Sequence, residues 1–292
     1  HYCSRRQRQM CIRDSGGKGL AGMQTKDEDV VTTLFVANTH TQLLFFSTDG
    51  MAYKLKTWRL PLGSRTAKGK AIINILPIQS GVSIAAVMPV DAPEEEWEKL
   101  QIIFSTSSGD VRRNALSDFT NVRSNGKIAM DLPEETKLVN ARIANEDDDV
   151  MLVTDSGRAI RFSTTAVRVF KGRKSTGVRG IKILGDDKVV SMSIIRHFEA
   201  SPDERSAYLK MRRAVAGMSD DEVSSQEEEE EEINANATIS PKKYAEMSAA
   251  ENLILTITSS CSCKLSSSQD YQVRCRDGMG ESAIDKKMRG GL

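Results

Sequence analysis

At 292 residues and 39% hydrophobic content, the chain is long enough for one large β-domain or two smaller ones and too apolar to be disordered throughout. The formal net charge of +1 hides a division, because residues 199–251 carry 6 Lys+Arg against 14 Asp+Glu and leave 35 basic and 26 acidic groups elsewhere. A basic body with an acidic insert is a statement about partners. No run reaches bilayer length and no apolar leader opens the chain, so a soluble, cytoplasmic protein with no membrane partner is expected. The cysteines, Cys3, Cys11, Cys261, Cys263 and Cys275, read as free thiols in a reducing compartment. The spacing of Cys261 and Cys263 does not suit a zinc knuckle, and no metal site is expected.

Residues 1–15 share no periodicity with the rest of the chain and are set aside as a foreign or artefactual leader. A repeating unit then dominates. Leu43 to Ser47 leads through Asp49-Gly50 into Met51 to Lys56, then a basic loop ending at Lys68-Gly69-Lys70 and the apolar Ala71 to Leu76. Ile102 to Ser105 leads through Ser108-Gly109 into Asp110 to Ala115, then Arg123-Ser124-Asn125-Gly126-Lys127. Val150 to Thr154 leads through Asp155-Ser156-Gly157 into Arg158 to Ser163, then Lys171 to Gly180 and Ile181 to Leu184. Each unit reads as a β-hairpin whose glycine takes positive φ, followed by a glycine-punctuated basic loop. Hairpin glycine and loop glycine lie 19, 17 and 20 residues apart, and loop glycines at 19, 69, 126 and 177 recur about every fifty residues, a period of propeller-like blade arrays.

Residues 198–251 interrupt this rhythm. Ser201-Pro202-Asp203-Glu204 is a helix start, while the six consecutive glutamates from Glu227 to Glu232 cannot offset ordering entropy, so the insert is expected to be largely disordered with one short helix. From residue 252 a partial blade is expected: Leu253 to Thr258, then Tyr271 to Arg274, then Gly278-Met279-Gly280, with Cys261 where a hairpin glycine belongs.

The loops carry the recurring chemistry. Gly16, Gly17, Lys18 and Gly19; Arg65, Lys68 and Lys70; Arg123 and Lys127; and Arg173, Lys174 and Arg179 fall at equivalent blade positions, which puts cations along one curved edge suited to a bent duplex. Lys286, Lys287 and Arg289 extend the series in the last unit. Hairpin cations Lys54, Lys56, Arg112, Arg113, Arg158 and Arg161 either widen the stripe or are outward positions paired with acids. No aromatic residue interleaves the loops, so duplex is favoured over single strands. No nucleotide-binding P-loop and no nucleophile arrangement is present; His40, His197, Trp58 and Trp97 read as structural, with Trp58 partly exposed beside Arg59.

These motifs resemble the C-terminal DNA-wrapping domain of the A subunit of bacterial DNA gyrase. The resemblance runs from Gly16 to about Arg196 and resumes at Leu253, and rests on VANTHTQLLFFSTDG, the segment from Leu60 to Pro77, and TGVRGIKI. Of the family's Gln-Arg-Arg-Gly-Gly-Lys-Gly box only Gly16, Gly17, Lys18 and Gly19 are present, behind Arg13, Asp14 and Ser15, which implies weak wrapping. The resemblance implies an all-β, propeller-like β-pinwheel of four-stranded blades over residues 16–197, with 252–292 a further partial blade. It implies non-sequence-specific duplex binding in support of ATP-dependent negative supercoiling by a type IIA topoisomerase. The implied partners are double-stranded DNA, the gyrase B subunit, and a second A subunit. No cofactor is expected in this fragment; ATP and Mg belong to the parent complex, and the catalytic tyrosine belongs to an upstream domain whose motif none of Tyr2, Tyr53, Tyr208, Tyr244 or Tyr271 occupies. The alternatives are the C-terminal domain of the A subunit of topoisomerase IV, which decatenates, and a propeller-like protein-interaction scaffold.

Overall fold

The computed structural model describes residues 33–64, 67–172, 175–216, 239–259 and 262–283. Strands β1 (Gln42–Ser47), β2 (Met51–Lys56) and β3 (Ile84–Val90) are followed by β4 (Gln101–Thr106), β5 (Asp110–Ala115), β6 (Lys127–Ile128) and β7 (Leu138–Ala144). Next come β8 (Asp148–Thr154), β9 (Arg158–Ser163), β10 (Val178–Arg179) and β11 (Val189–Arg196). Helices α1 (Pro202–Ala216) and α2 (Pro241–Ala250) precede β12 (Leu253–Ile257), β13 (Cys263–Ser267) and β14 (Glu281–Ser282).

The hairpins expected at Gly50, Gly109 and Gly157 are present, and each sits at the centre of a four-stranded antiparallel sheet. The orders are β3-β1-β2-β6, β10-β5-β4-β7 and β11-β8-β9-β14. One outer strand follows its own hairpin in sequence, and the other is a two-residue piece donated by the next unit. Blades are therefore tied to their neighbours by shared backbone hydrogen bonds as well as by side-chain packing.

Alternating residues of each first strand face opposite neighbours, as the period of a strand requires. Leu44 and Phe46 pack with Ile102, Phe104 and Phe119 between the first two blades. The rings of Phe46, Phe104 and Phe119 meet edge to face at centroid distances of 5.2, 5.6 and 5.8 Å, an arrangement that adds to the gain from burial. Ile103, Val150, Leu152 and Phe162 fill the second seam, and Met151, Tyr271 and Ile254 the third.

Each seam also contains a cation. The cross-strand pairs Leu44–Lys54, Ile103–Arg113 and Met151–Arg161 occupy equivalent positions on the face turned toward the next blade. Lys54 Nζ donates to Glu94 Oε1 (2.9 Å) and to the Thr120 carbonyl. Arg113 Nη1 donates to the Thr164 carbonyl (3.0 Å), with Glu146 at 3.9 Å. Arg161 pairs with fully buried Asp149 at 2.8 Å and donates to the Ser268 carbonyl at 2.6 Å. All three reach the short 3-10 turn that follows the second strand of the next blade.

The insert holds two described helices where one was expected. Ser201 Oγ accepts from Glu204 N (3.2 Å) and Glu204 Oε2 accepts from Ser201 N (3.0 Å), the reciprocal cap that starts α1. Ser240 Oγ caps α2 through Lys243 N, with Pro241 in its first turn. Tyr208 and Tyr244 bring the helices together at 5.1 Å, flanked by Arg212–Glu251 (3.0 Å) and Lys243–Glu204 (3.6 Å). Burial and the neighbouring Glu251 carboxylate push the Tyr208 phenol up to about 12. The glutamate run lies outside the described residues.

The last unit corrects one expectation. Its second strand is Cys263–Ser267 rather than Tyr271 to Arg274, and Tyr271 follows the 3-10 turn, where Val167 stands in the blade before. The strand was missed because its Cys-Lys-Leu-Ser-Ser sequence has little apolar alternation. Cys261 lies outside the described residues.

Candidate nucleic-acid interface

The hairpin glycines do two jobs. Gly50, Gly109 and Gly157 have φ of 82°, 86° and 74°, and each donates its N–H back to the end of the preceding strand. Their carbonyls then accept from the chain arriving from the next unit: Ala129 N to Gly50 O (2.9 Å), Gly180 N to Gly109 O (2.8 Å) and Ala283 N to Gly157 O (2.9 Å). Each arriving chain passes first through a glycine of positive φ, Gly126, Gly177 or Gly280. A Cβ on Gly177 would lie 2.3 Å from the Val111 carbonyl oxygen, and one on Gly280 would lie 2.7 Å from that of Ala159. Only glycine allows so close an approach.

As a result, the loops that end at Gly126, Gly177 and Gly280 dock at the hairpin-turn end of the blade before them and share one edge of the array. Two neighbouring loops touch directly, through Asp277 N to Gly180 O and Lys182 N to Gly278 O, both 2.8 Å.

The expected site residues divide into three groups. Lys68, Lys70 and Arg123 are exposed on the loops and form no ion pair among the described residues. Arg179 is also exposed and lies 3.4 Å from Asp277. Lys127 and Arg158 are half-buried and engaged by carbonyls: Lys127 Nζ donates to Asp118 O and Asn121 O, and Arg158 Nη1 to Met279 O (3.2 Å) and Gly280 O (3.3 Å). Gly16, Gly17, Lys18, Gly19, Arg65, Arg173 and Lys174 lie outside the described residues.

Arg112 and Arg113 are a correction. Their side chains are buried and do not join an exposed stripe. Arg112 Nε donates to Asn114 Oδ1 at 2.8 Å, Nη1 donates to the Ser175 carbonyl, and the guanidinium lies 5.3 Å from the Phe170 ring centre. It holds the flank of the loop that carries Arg173 and Lys174 in sequence. Arg113 closes the seam already described, as do Lys54 and Arg161 at the equivalent positions. The physical reason is common to them: a cation inside is tolerated where carbonyls and carboxylates replace its water.

Sequence reasoning passed over Arg276, which braces two elements by donating to Ala166 O and Arg179 O, each at 3.1 Å. Its position ahead of Gly278 was the available signal. Trp97 is fully buried, its indole N–H donating to the Ala92 carbonyl at 2.9 Å, whereas Trp58 is 56% exposed with Arg59 over its ring. His197 Nδ1 lies 3.0 Å from Asp149 Oδ2, a structural contact. Burial raises the pKa of the Glu281 carboxyl, opposed by Arg274 at 3.1 Å.

Four-stranded blades that exchange short strands and align their loops on one edge define a propeller-type protein. A family model described as the DNA gyrase C-terminal domain, a beta-propeller, matches residues 12–38, 41–91, 101–145 and 148–196. The chain belongs to that family. Its last three matched spans each run from the first strand of a hairpin to the strand that flanks it. The A subunit of DNA gyrase from Granulibacter bethesdensis is 43% identical over 94% of this chain and 30% of its own length. The Rickettsia bellii counterpart is 39% identical over 95% of the chain and 30% of its own. The chain thus spans about a third of the length of these relatives. Among solved structures, a DNA gyrase A C-terminal domain shares the fold with a TM-score of 0.61 at 17% identity, covering 94% of this chain and 71% of that one. A DNA topoisomerase IV C-terminal domain does so with a TM-score of 0.53 at 19% identity, covering 97% of this chain and 85% of that one.

Proposed function

We propose that the loop edge binds the phosphate backbone of duplex DNA without reading sequence, and that successive loops bend the duplex around the array. The observation that supports this most is the exposure of Arg123 and Arg179 on loops docked at equivalent ends of successive blades, with Lys68 and Lys70 exposed on the loop at the matching place of the first repeat. Phosphate contacts set position and carry no sequence information, which suits a wrapping surface. Bending a site of 20–30 base pairs by 40–90° costs on the order of 1–6 kcal/mol, so several loops must act together to offset it. Arg65, Arg173 and Lys174 complete the proposed set by sequence position; Arg158 and Lys127 support the loops from beneath.

Within the whole protein this wrapping would present DNA to the strand-passage domains of a gyrase, which contains the B subunit, with a second A subunit. Nucleotide and magnesium chemistry would reside in that complex rather than on these blades. The acidic run from Glu227 to Glu232 would compete with phosphate for the same edge, so removing residues 217–238 should tighten duplex binding at low salt; unchanged affinity would sink that idea.

The test is a duplex mobility assay comparing the parent protein with a K68Q/K70Q/R123Q variant. Loss of the shifted species in the variant is expected, and equal binding by the two would overturn the assignment of the edge.

A further inference from the structure

The loops are not equivalent in charge. Lys68, Lys70 and Arg123 face solvent without an ion pair among the described residues, while every described arginine around the last two loops is engaged internally. Arg274 pairs with Glu281 at 3.1 Å, Arg276 is held by two carbonyls, and Arg179 faces Asp277 at 3.4 Å. Asp277 stands three residues before Gly280, the place that Arg123 takes before Gly126 and Lys174 takes before Gly177. It is also the one non-glycine residue with positive φ among the described residues, at 70°. Its amide donates to the Gly180 carbonyl, so the backbone is pinned with the carboxylate turned to the neighbouring loop.

We propose that Asp277 is an intramolecular stand-in for phosphate that occupies Arg179 and ends the cationic path at the last described loop. This rests on the reading of the edge as a duplex-binding surface and adds where that surface stops. With both side chains about half exposed, 57% and 48%, the pair is weak enough for a phosphate to displace. The carboxylate accepts the same guanidinium donors that a phosphate oxygen would. A phosphate reaching Arg179 must therefore exchange one anion for another, gaining little there, whereas at Lys68, Lys70 and Arg123 it meets cations without that competitor.

The experiment measures duplex affinity across a salt series for the parent, D277N, R179Q, and the double variant. Opening one phosphate contact should tighten binding about 2-fold to 5-fold at low salt, the worth of an exposed ion pair, and steepen the log–log salt slope by about 0.9 in D277N. The gain should vanish in the R179Q background. A gain that persists without Arg179 would mean a general charge effect and would overturn the proposal, as would D277N binding like the parent. The K68Q/K70Q/R123Q variant, measured alongside, separates the two readings: if it keeps full affinity the edge itself is misassigned, and if it loses affinity while D277N is unchanged only the role of Asp277 fails.

Discussion

The three inner seams and the outer face of the last hairpin are built on one register and reach opposite ends. Leu44–Lys54, Ile103–Arg113 and Met151–Arg161 are apolar–cation pairs closed by the next blade. The equivalent pair in the last unit is Leu255–Leu265, and both residues are exposed, at 58% and 59%. Leu253 and Ile257 extend that apolar row along β12, beside which no flanking strand like those of β1, β4 and β8 lies among the described residues. Where a neighbour exists, the cation bonds to its 3-10 turn and the apolar partner is covered. The cation's identity as a structural group is therefore conferred by the next blade and not by its own strand.

Breaking the inner side of this comparison should have the largest effect. Replacing Arg161 with Met leaves Asp149 buried without its guanidinium, and about 3–5 kcal/mol of stability should be lost in chemical denaturation. Replacing Asp149 as well, by Asn, should recover part of that loss. Phe104→Ala, which empties the centre of the aromatic triad, should cost a similar ~3–5 kcal/mol. The matching Leu255→Ala on the outer face should cost well under ~1 kcal/mol, because more than half of that side chain is already in water. Equal costs at the two sites would mean that the outer face is covered in solution.

Gly177→Ala should cost about 1–3 kcal/mol, since it combines positive φ with a close approach to the Val111 carbonyl. The smallest effect belongs to Leu265→Arg, which puts a cation on a face that no other blade covers among the described residues; stability should move by no more than ~0.5 kcal/mol.

The hairpins were legible because Asp-Gly and Ser-Gly between apolar runs dictate a turn whatever surrounds them. The exchanged strands were not, since Lys127–Ile128 and Val178–Arg179 are too short to show a period and owe their pairing to another unit. The flanking strands carry polar residues such as Asn140 and Arg142 among few buried positions, which weakens their alternation. Among the cations, position in a loop correctly suggested exposure for Lys68, Lys70, Arg123 and Arg179. Position in a strand could not separate Arg113 from a solvated arginine, because the carbonyl that receives it, that of Thr164, lies 51 residues away.

The central claim is that the loop edge, and not the seam cations, meets the duplex. The most direct measurement is the slope of log affinity against log salt concentration for the parent and K68Q/K70Q/R123Q proteins. Loss of three phosphate contacts should flatten the slope by about 2–3, at ~0.9 per contact. Parallel lines of equal height would contradict the account.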